Sequence, residues 1–102
     1  MNFEDVEKRV IKWAEDRLIF EQSGPIAQIE KLQEELDELK EALYRLPNDL
    51  GDVVDAIGDM LVVLTMISHM INKDLFTCYV AAYLEIKDRK GKMVDGIFVK
   101  EN

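Results

Sequence analysis

Leu50-Gly51-Asp52-Val53-Val54-Asp55-Ala56-Ile57-Gly58-Asp59-Met60-Leu61-Val62-Val63-Leu64 begins the stretch on which the fold turns. From about Leu50 to Asn72 the chain is apolar almost all the way round a helix, with Met66, Ile67, Met70 and Ile71 continuing the pattern. Such a helix belongs at the centre of a bundle, buried by its neighbours. Its three aspartates do not fit that setting evenly. At about 100° per residue, Asp52, Asp55 and Asp59 share one stripe some 60° wide. The stripe continues into Val62, Val63 and Met66, so Asp59 is expected to be buried or nearly so. A buried carboxylate without a partner is costly, so a cation must face it. No Lys or Arg occurs between Leu50 and Asn72. The cation is then either a side chain from another helix, with Lys31 the candidate, or a metal ion.

The preceding segment, about Ile26 to Leu46, sets the partner helix. Ile29, Leu32, Leu36, Leu39, Leu43 and Leu46 recur in alternating steps of three and four, a narrow coiled-coil-type seam. The acidic run Glu34-Glu35-Leu36-Asp37-Glu38 lies across it. Glu35 falls about 60° from Leu32, at the seam's edge, and Glu38 and Lys31 lie just beyond on the same edge. Glu34 and Glu41 point further out. Glu35 and Glu38 can therefore converge on one ion at the rim of the core, although a run like this also serves as a solvated face. Pro47-Asn48-Asp49 ends the helix, and Asn48 or Asp49 can cap the next.

Two more helical segments complete the bundle. About Phe3 to Phe20 carries Val6, Val10, Trp13, Ala14 and Leu18 at helical spacing and is broken by Ser23-Gly24-Pro25. About Leu75 to Lys90 ends at Gly91. The tail Met93-Val94-Asp95-Gly96-Ile97-Phe98-Val99 reads instead as a β-hairpin turning on Asp-Gly. Two strands alone are marginal, so the hairpin is expected to pair with another copy or to pack on the helices. There is no linker, low-complexity segment or internal repeat. The 102 residues read as a single domain, 1–102, that enlarges its core by self-association.

Charge and composition narrow the function. With 13 basic and 21 acidic residues the net charge is −8, which disfavours nucleic acid and anionic membranes as partners. The most apolar run, Met60 to Ile71, is too short to span a bilayer, and Met1-Asn2-Phe3-Glu4-Asp5 is no signal peptide. One cysteine, Cys78, permits no internal disulfide and reads as a small buried hydrophobe in a reducing cytoplasm. Two acidic pairs on adjacent antiparallel helices form a four-carboxylate site, whose oxygen ligands select Mg²⁺ or Mn²⁺. The single histidine, His69, lies about 15 Å along the helix from Asp59 and reads as a helix-end or core residue. Nothing supports a Ser-His-Asp triad, a Cys-His pair or a phosphate loop. Lys87, Arg89, Lys90 and Lys92 form the one basic cluster; it suits either the helix C-terminus or phosphate.

These residues resemble the MazG-like, all-α nucleoside triphosphate pyrophosphohydrolases in their short single-domain phage and bacterial form. That family carries EExxE on one helix and ExxD on the next. Glu34-Glu35-Leu36-Asp37-Glu38 matches the first motif, and Asp59 with the following Met-Leu-Val-Val-Leu matches the end of the second. The family's glutamate falls on Ala56, next to Asp55. Trp13-Ala14-Glu15-Asp16-Arg17, Gln28-Ile29-Glu30-Lys31-Leu32 and Glu85-Ile86-Lys87-Asp88-Arg89-Lys90-Gly91-Lys92 resemble other parts of the family. The resemblance implies an all-α, four-helix bundle completed by dimerisation, as a homodimer or homotetramer, with the short hairpin appended. It implies Mg²⁺-dependent hydrolysis of (deoxy)nucleoside triphosphates to monophosphate and pyrophosphate, in nucleotide-pool housecleaning. Glu35, Glu38, Asp55 and Asp59 would hold the metal, and Glu34 or Glu38 would orient or deprotonate water. Lys31, Lys87, Arg89 and Lys90 would neutralise phosphate charge. Trp13 either stacks on the base or sits in the core. The rival expectation is a non-catalytic helical oligomerisation or interaction module, in which the leucine seam binds a partner helix.

Overall fold

The computed structural model describes residues 1–101. It is mostly helical, in the order α1 (Phe3–Asp16), α2 (Ile19–Gln22), α3 (Pro25–Tyr44), α4 (Leu50–Met70) and α5 (Leu75–Ile86). A hairpin of β1 (Gly91–Val94) and β2 (Ile97–Lys100) follows. The three long segments before the hairpin shed their last residues relative to the pattern, and the first is divided in two.

Local chemistry sets these boundaries. Asn2 and Asp5 form a reciprocal capping box at the start of α1. Pro25 occupies the first turn of α3, where its missing N–H is harmless. The expected helix from Phe3 to Phe20 breaks at Leu18, which adopts a left-handed conformation with φ 62°. No glycine or proline announces this turn, and Leu18 keeps the apolar spacing, so periodicity alone carries the helix too far. The turn delivers Ile19 and Phe20 onto the core of Ala14, Val63 and Met66. Phe20 also packs on His69, the two rings tilted by 44° with centroids 4.4 Å apart, which makes His69 a helix-end packing residue. At the other end of the chain, Asp95 and Gly96 both take positive φ, the geometry that two-residue hairpin turns require.

α4 is the central element. It packs most extensively on α3, and also on α1 and α5. Small side chains, Ala42 on α3 and Ala56 on α4, are buried and permit close approach. Thr65 and Ser68 are buried but satisfied, each donating to a carbonyl of its own helix, Leu61 and Thr65 respectively. The N-terminal half of α4 is covered on one face only in the single chain, whereas its C-terminal half is buried on several sides, at Val63, Thr65, Met66 and Ser68. Val54, Ile57 and Leu61 lie open, against the expectation of burial all round.

α5 is held by a long-range cap. The buried Glu7 of α1 accepts hydrogen bonds from the backbone N–H groups of Leu75 and Phe76, the latter at 3.2 Å. Nevertheless α5 has no buried residue. Cys78 is exposed rather than buried, because it faces an apolar groove shared with Phe3, Leu61 and Leu64 that no other element fills. Trp13 is likewise not a core residue: it is 43% exposed, with the Arg17 guanidinium 4.4 Å above its ring. The radius of gyration is 16.1 Å, against about 13 Å for a compact chain of this length. Among the described residues no helix is long and apolar enough to cross a membrane.

Candidate metal-binding carboxylate groove

The loop Arg45–Asp49 returns α4 along α3, which places the acidic residues of the two helices beside one another. Glu38, Glu41, Asp52, Asp55 and Asp59 line an open groove of about 330 Å³, with Ala56 in its floor and Arg45 at one end. Glu41, Arg45 and Asp52 thus join the groove beside three of the four residues expected to hold an ion; Glu35, the fourth, does not line it. Arg45 pairs with Asp49 across the loop and reaches Asp52 at 3.6 Å. Its i,i+4 spacing to Asp49 was a readable signal, masked by Pro47 between them.

The burial of the carboxylates is the reverse of that expected. Asp59 is exposed, because its stripe faces the groove rather than the interior. The buried one is Glu35, at 5%. Its edge-of-seam position on α3 places it under the groove, where Oε1 lies 3.2 Å from the Lys31 ammonium. Its Oε2 is buried with no hydrogen-bond partner. Lys31 also meets the exposed Glu34 at 3.4 Å, so Glu34 lies on the solvent side and outside the groove lining.

The carboxylates act on one another. Repulsion by Glu35 is the first cause that raises Glu38 above the ordinary glutamate range, and Asp59 contributes weakly. Asp59 is also raised. Partial loss of hydration beside α3 is the first cause, then the charges of Glu35 and Asp55, and Lys31 opposes them. Glu35 therefore links a pair from α3 with an aspartate from α4. Close negative charges of this kind are relieved by protons or by a cation. As placed, no three His, Cys, Asp or Glu side chains among the described residues converge tightly enough to enclose an ion. The donor set is nonetheless the all-oxygen kind that suits Mg²⁺ or Mn²⁺, and the orphaned Glu35 oxygen fits such a cation.

The other site candidates lie elsewhere. Lys87 pairs with Asp88 at 3.6 Å and Arg89 with Glu85 at 3.3 Å at the end of α5. Lys90 lines a separate groove with Lys92 and Lys100 on the hairpin. Trp13 does not line the carboxylate groove. Comparison with family models, with curated proteins and with solved structures finds no match.

Proposed function

We propose that this chain is a Mg²⁺-dependent hydrolase that splits nucleoside triphosphates into monophosphate and pyrophosphate at the α3–α4 groove. The observation that carries the reading is the buried Glu35 carboxylate, with one oxygen on Lys31 and the other unpartnered, coupled to Glu38 and Asp59. Glu35, Glu38 and Asp59 would hold the ion, with Asp55 as the fourth carboxylate in place of a glutamate at Ala56. Bound there, Mg²⁺ or Mn²⁺ would neutralise phosphate charge and acidify the attacking water.

The chain's own groups supply the rest. Glu38, at the groove wall, is placed to take the proton of a water attacking the α-phosphorus. Glu34 would orient water only from the outer side. Lys31 and Arg45 flank the carboxylates and would meet the charge of the departing pyrophosphate. Lys87, Arg89 and Lys90 would do so from beyond the groove. Trp13, already under Arg17, offers its ring to a base at the bundle's edge.

The open apolar surfaces of α4 and α5 support a bundle completed by a second copy, in a homodimer or homotetramer. A MazG-like arrangement and a nucleotide-pool role in the cytoplasm follow from the same reading. Incubation with Mg²⁺ and a panel of nucleoside triphosphates should release pyrophosphate, and Asp59→Asn should abolish it with helical circular dichroism retained. Orthophosphate alone, or an active Asp59→Asn protein, would refute the assignment. One observation favours the non-catalytic module instead: Lys31 already gives Glu35 a cation. No binding of Mg²⁺ or Mn²⁺ at millimolar concentration would decide for it.

A further inference from the structure

The charge of this chain is sharply divided. Residues 1–86 hold eight basic and eighteen acidic side chains, net −10, whereas residues 87–102 hold five and three, net +2. The basic part is the end of α5 and the hairpin. The hairpin makes no substantial packing contact with any helix of its own chain, and both of its faces are exposed. Its register puts Lys92 on the face of Val94, Ile97 and Val99, and Lys100 on the face of Met93 and Phe98. Lys90, Lys92 and Lys100 form no ion pair among the described residues, although Glu101 lines the groove they share. A two-stranded ribbon of this size is not independently stable, so something must cover it.

The candidates separate on charge and geometry. Pairing with another hairpin would bring Lys90, Lys92 and Lys100 against their own copies, and lysine on a strand edge disfavours such pairing. The chain's own carboxylate groove has the right sign but lies on the wrong side. α5 leads into the hairpin and packs where Leu61 and Leu64 face Leu75 and Cys78. At about 100° per residue, that face of α4 is roughly 170° round from Asp59. The whole of α4 stands between the hairpin's root and its own groove.

We infer that the hairpin of one copy lies over the α3–α4 carboxylate groove of a second copy, in a reciprocal exchange. Each copy supplies one basic ribbon and one acidic groove, so a two-fold pair satisfies both at once. Lys90 and Lys92, on the ribbon's Val94–Ile97 face, then meet Glu41, Asp52 and Asp55 across the interface, while Lys100 lies on the other face. The interface stands on charge and topology alone. A role for these lysines toward a triphosphate rests additionally on the hydrolase reading above.

A charge-swap experiment tests the exchange without reference to turnover. One protein carries Lys90→Glu and Lys92→Glu; the other carries Glu41→Lys and Asp52→Lys. In sedimentation velocity at micromolar concentration, each should associate at least tenfold more weakly than wild type. An equimolar mixture should restore association, and native mass spectrometry should show one chain of each kind. Wild-type association should also weaken steeply between 0.05 and about 0.5 M NaCl as screening shortens, a measurement that needs no variant. Wild-type association that is insensitive to salt and to both reversals would place the interface elsewhere and overturn the exchange. A mixture that remains dissociated would overturn it equally. Absence of pyrophosphate release from the associated wild-type protein would refute the hydrolase and leave the exchange standing.

Discussion

Replacing Lys31 by methionine isolates the question of what neutralises Glu35. Methionine keeps most of the aliphatic stem and removes only the ammonium, which lies 3.2 Å from a carboxylate that is 5% exposed. Stripping the partner from a fully buried pair costs about 3–5 kcal/mol. The Lys31 side chain is 51% exposed, and solvent screening reduces the expected loss to about 1–2 kcal/mol. For a chain of this size that lowers the melting temperature by roughly 5–15 °C. Mg²⁺ reverses the logic. At ten times its dissociation constant, an ion bound only to the folded state adds about 1.4 kcal/mol. In the variant it is also the only cation facing Glu35, so it should bind more tightly. Thermal denaturation followed by circular dichroism at fixed protein concentration, with MgCl₂ and with NaCl matched for ionic strength, reads both effects. Lys31→Met should melt lower than wild type without metal and gain more on adding Mg²⁺. Combining it with Glu35→Gln should abolish the extra gain. A Lys31→Met protein as stable as wild type would refute the ion pair as Glu35's counter-charge. A loss untouched by Mg²⁺ would refute the groove as the metal's place.

Ala56→Glu adds a carboxylate to the groove floor beside Asp55 and Asp59; isothermal titration should show tighter Mg²⁺ binding, and the metal-free protein should melt lower. Glu7→Ala removes the acceptor shared by Leu75 and Phe76 at the start of α5. The loss of a buried charge-assisted cap should cost about 1–3 kcal/mol, with α5 amides losing hydrogen-exchange protection and Mg²⁺ binding unchanged. Gly91→Ala would put a Cβ 2.2 Å from the Val99 carbonyl and 2.6 Å from the Phe98 ring. Its hairpin resonances should disperse poorly in NMR spectra while helical content persists.

What could be read in the chain depended on whether a local rule governed it. Asp95-Gly96 acts through its own backbone chemistry and turns the hairpin as read, and Pro25, read as part of a break, opens α3, whereas the cap that Asn2 supplies went unread. The period of Leu32, Leu36 and Leu39 located Glu35 at a seam edge, and burial of Glu35 follows from that position. Leu18 escaped because its left-handed turn is imposed by the packing of Ile19 and Phe20, a tertiary demand with no local signature. Asp59 misled for a related reason. The apolar residues of α4 were assigned to the interior of one chain, whereas Val54, Ile57 and Leu61 are exposed in it. Cys78 was misplaced by the same assumption, that an apolar neighbourhood in sequence is a buried one in space, and the exposure of Trp13 removes the core from its two readings. Glu7 was invisible because its partners, Leu75 and Phe76, lie on a different helix.

The two cations near the carboxylates divide the groove in a way that bears on where an ion would sit. Arg45 serves the end formed by Asp49 and Asp52. Lys31 serves the opposite side, through Glu35 and, more weakly, Glu38 and Asp59. Between them Glu38, Asp55 and Asp59 face one another, and no side-chain cation touches any of the three within ion-pair distance among the described residues. The charge of Glu35 is the first cause that raises Glu38, and the charges of Glu35 and Asp55 add to the loss of hydration that raises Asp59. Solubility alone would be served equally well by carboxylates scattered over α3 and α4, without the repulsion that this spacing imposes. The uncompensated middle of the groove, lying above the unpartnered oxygen of Glu35, is therefore the position at which a divalent ion would relieve the most repulsion. Lys31 and Arg45 would remain on either side of it to meet an anion that the ion brings.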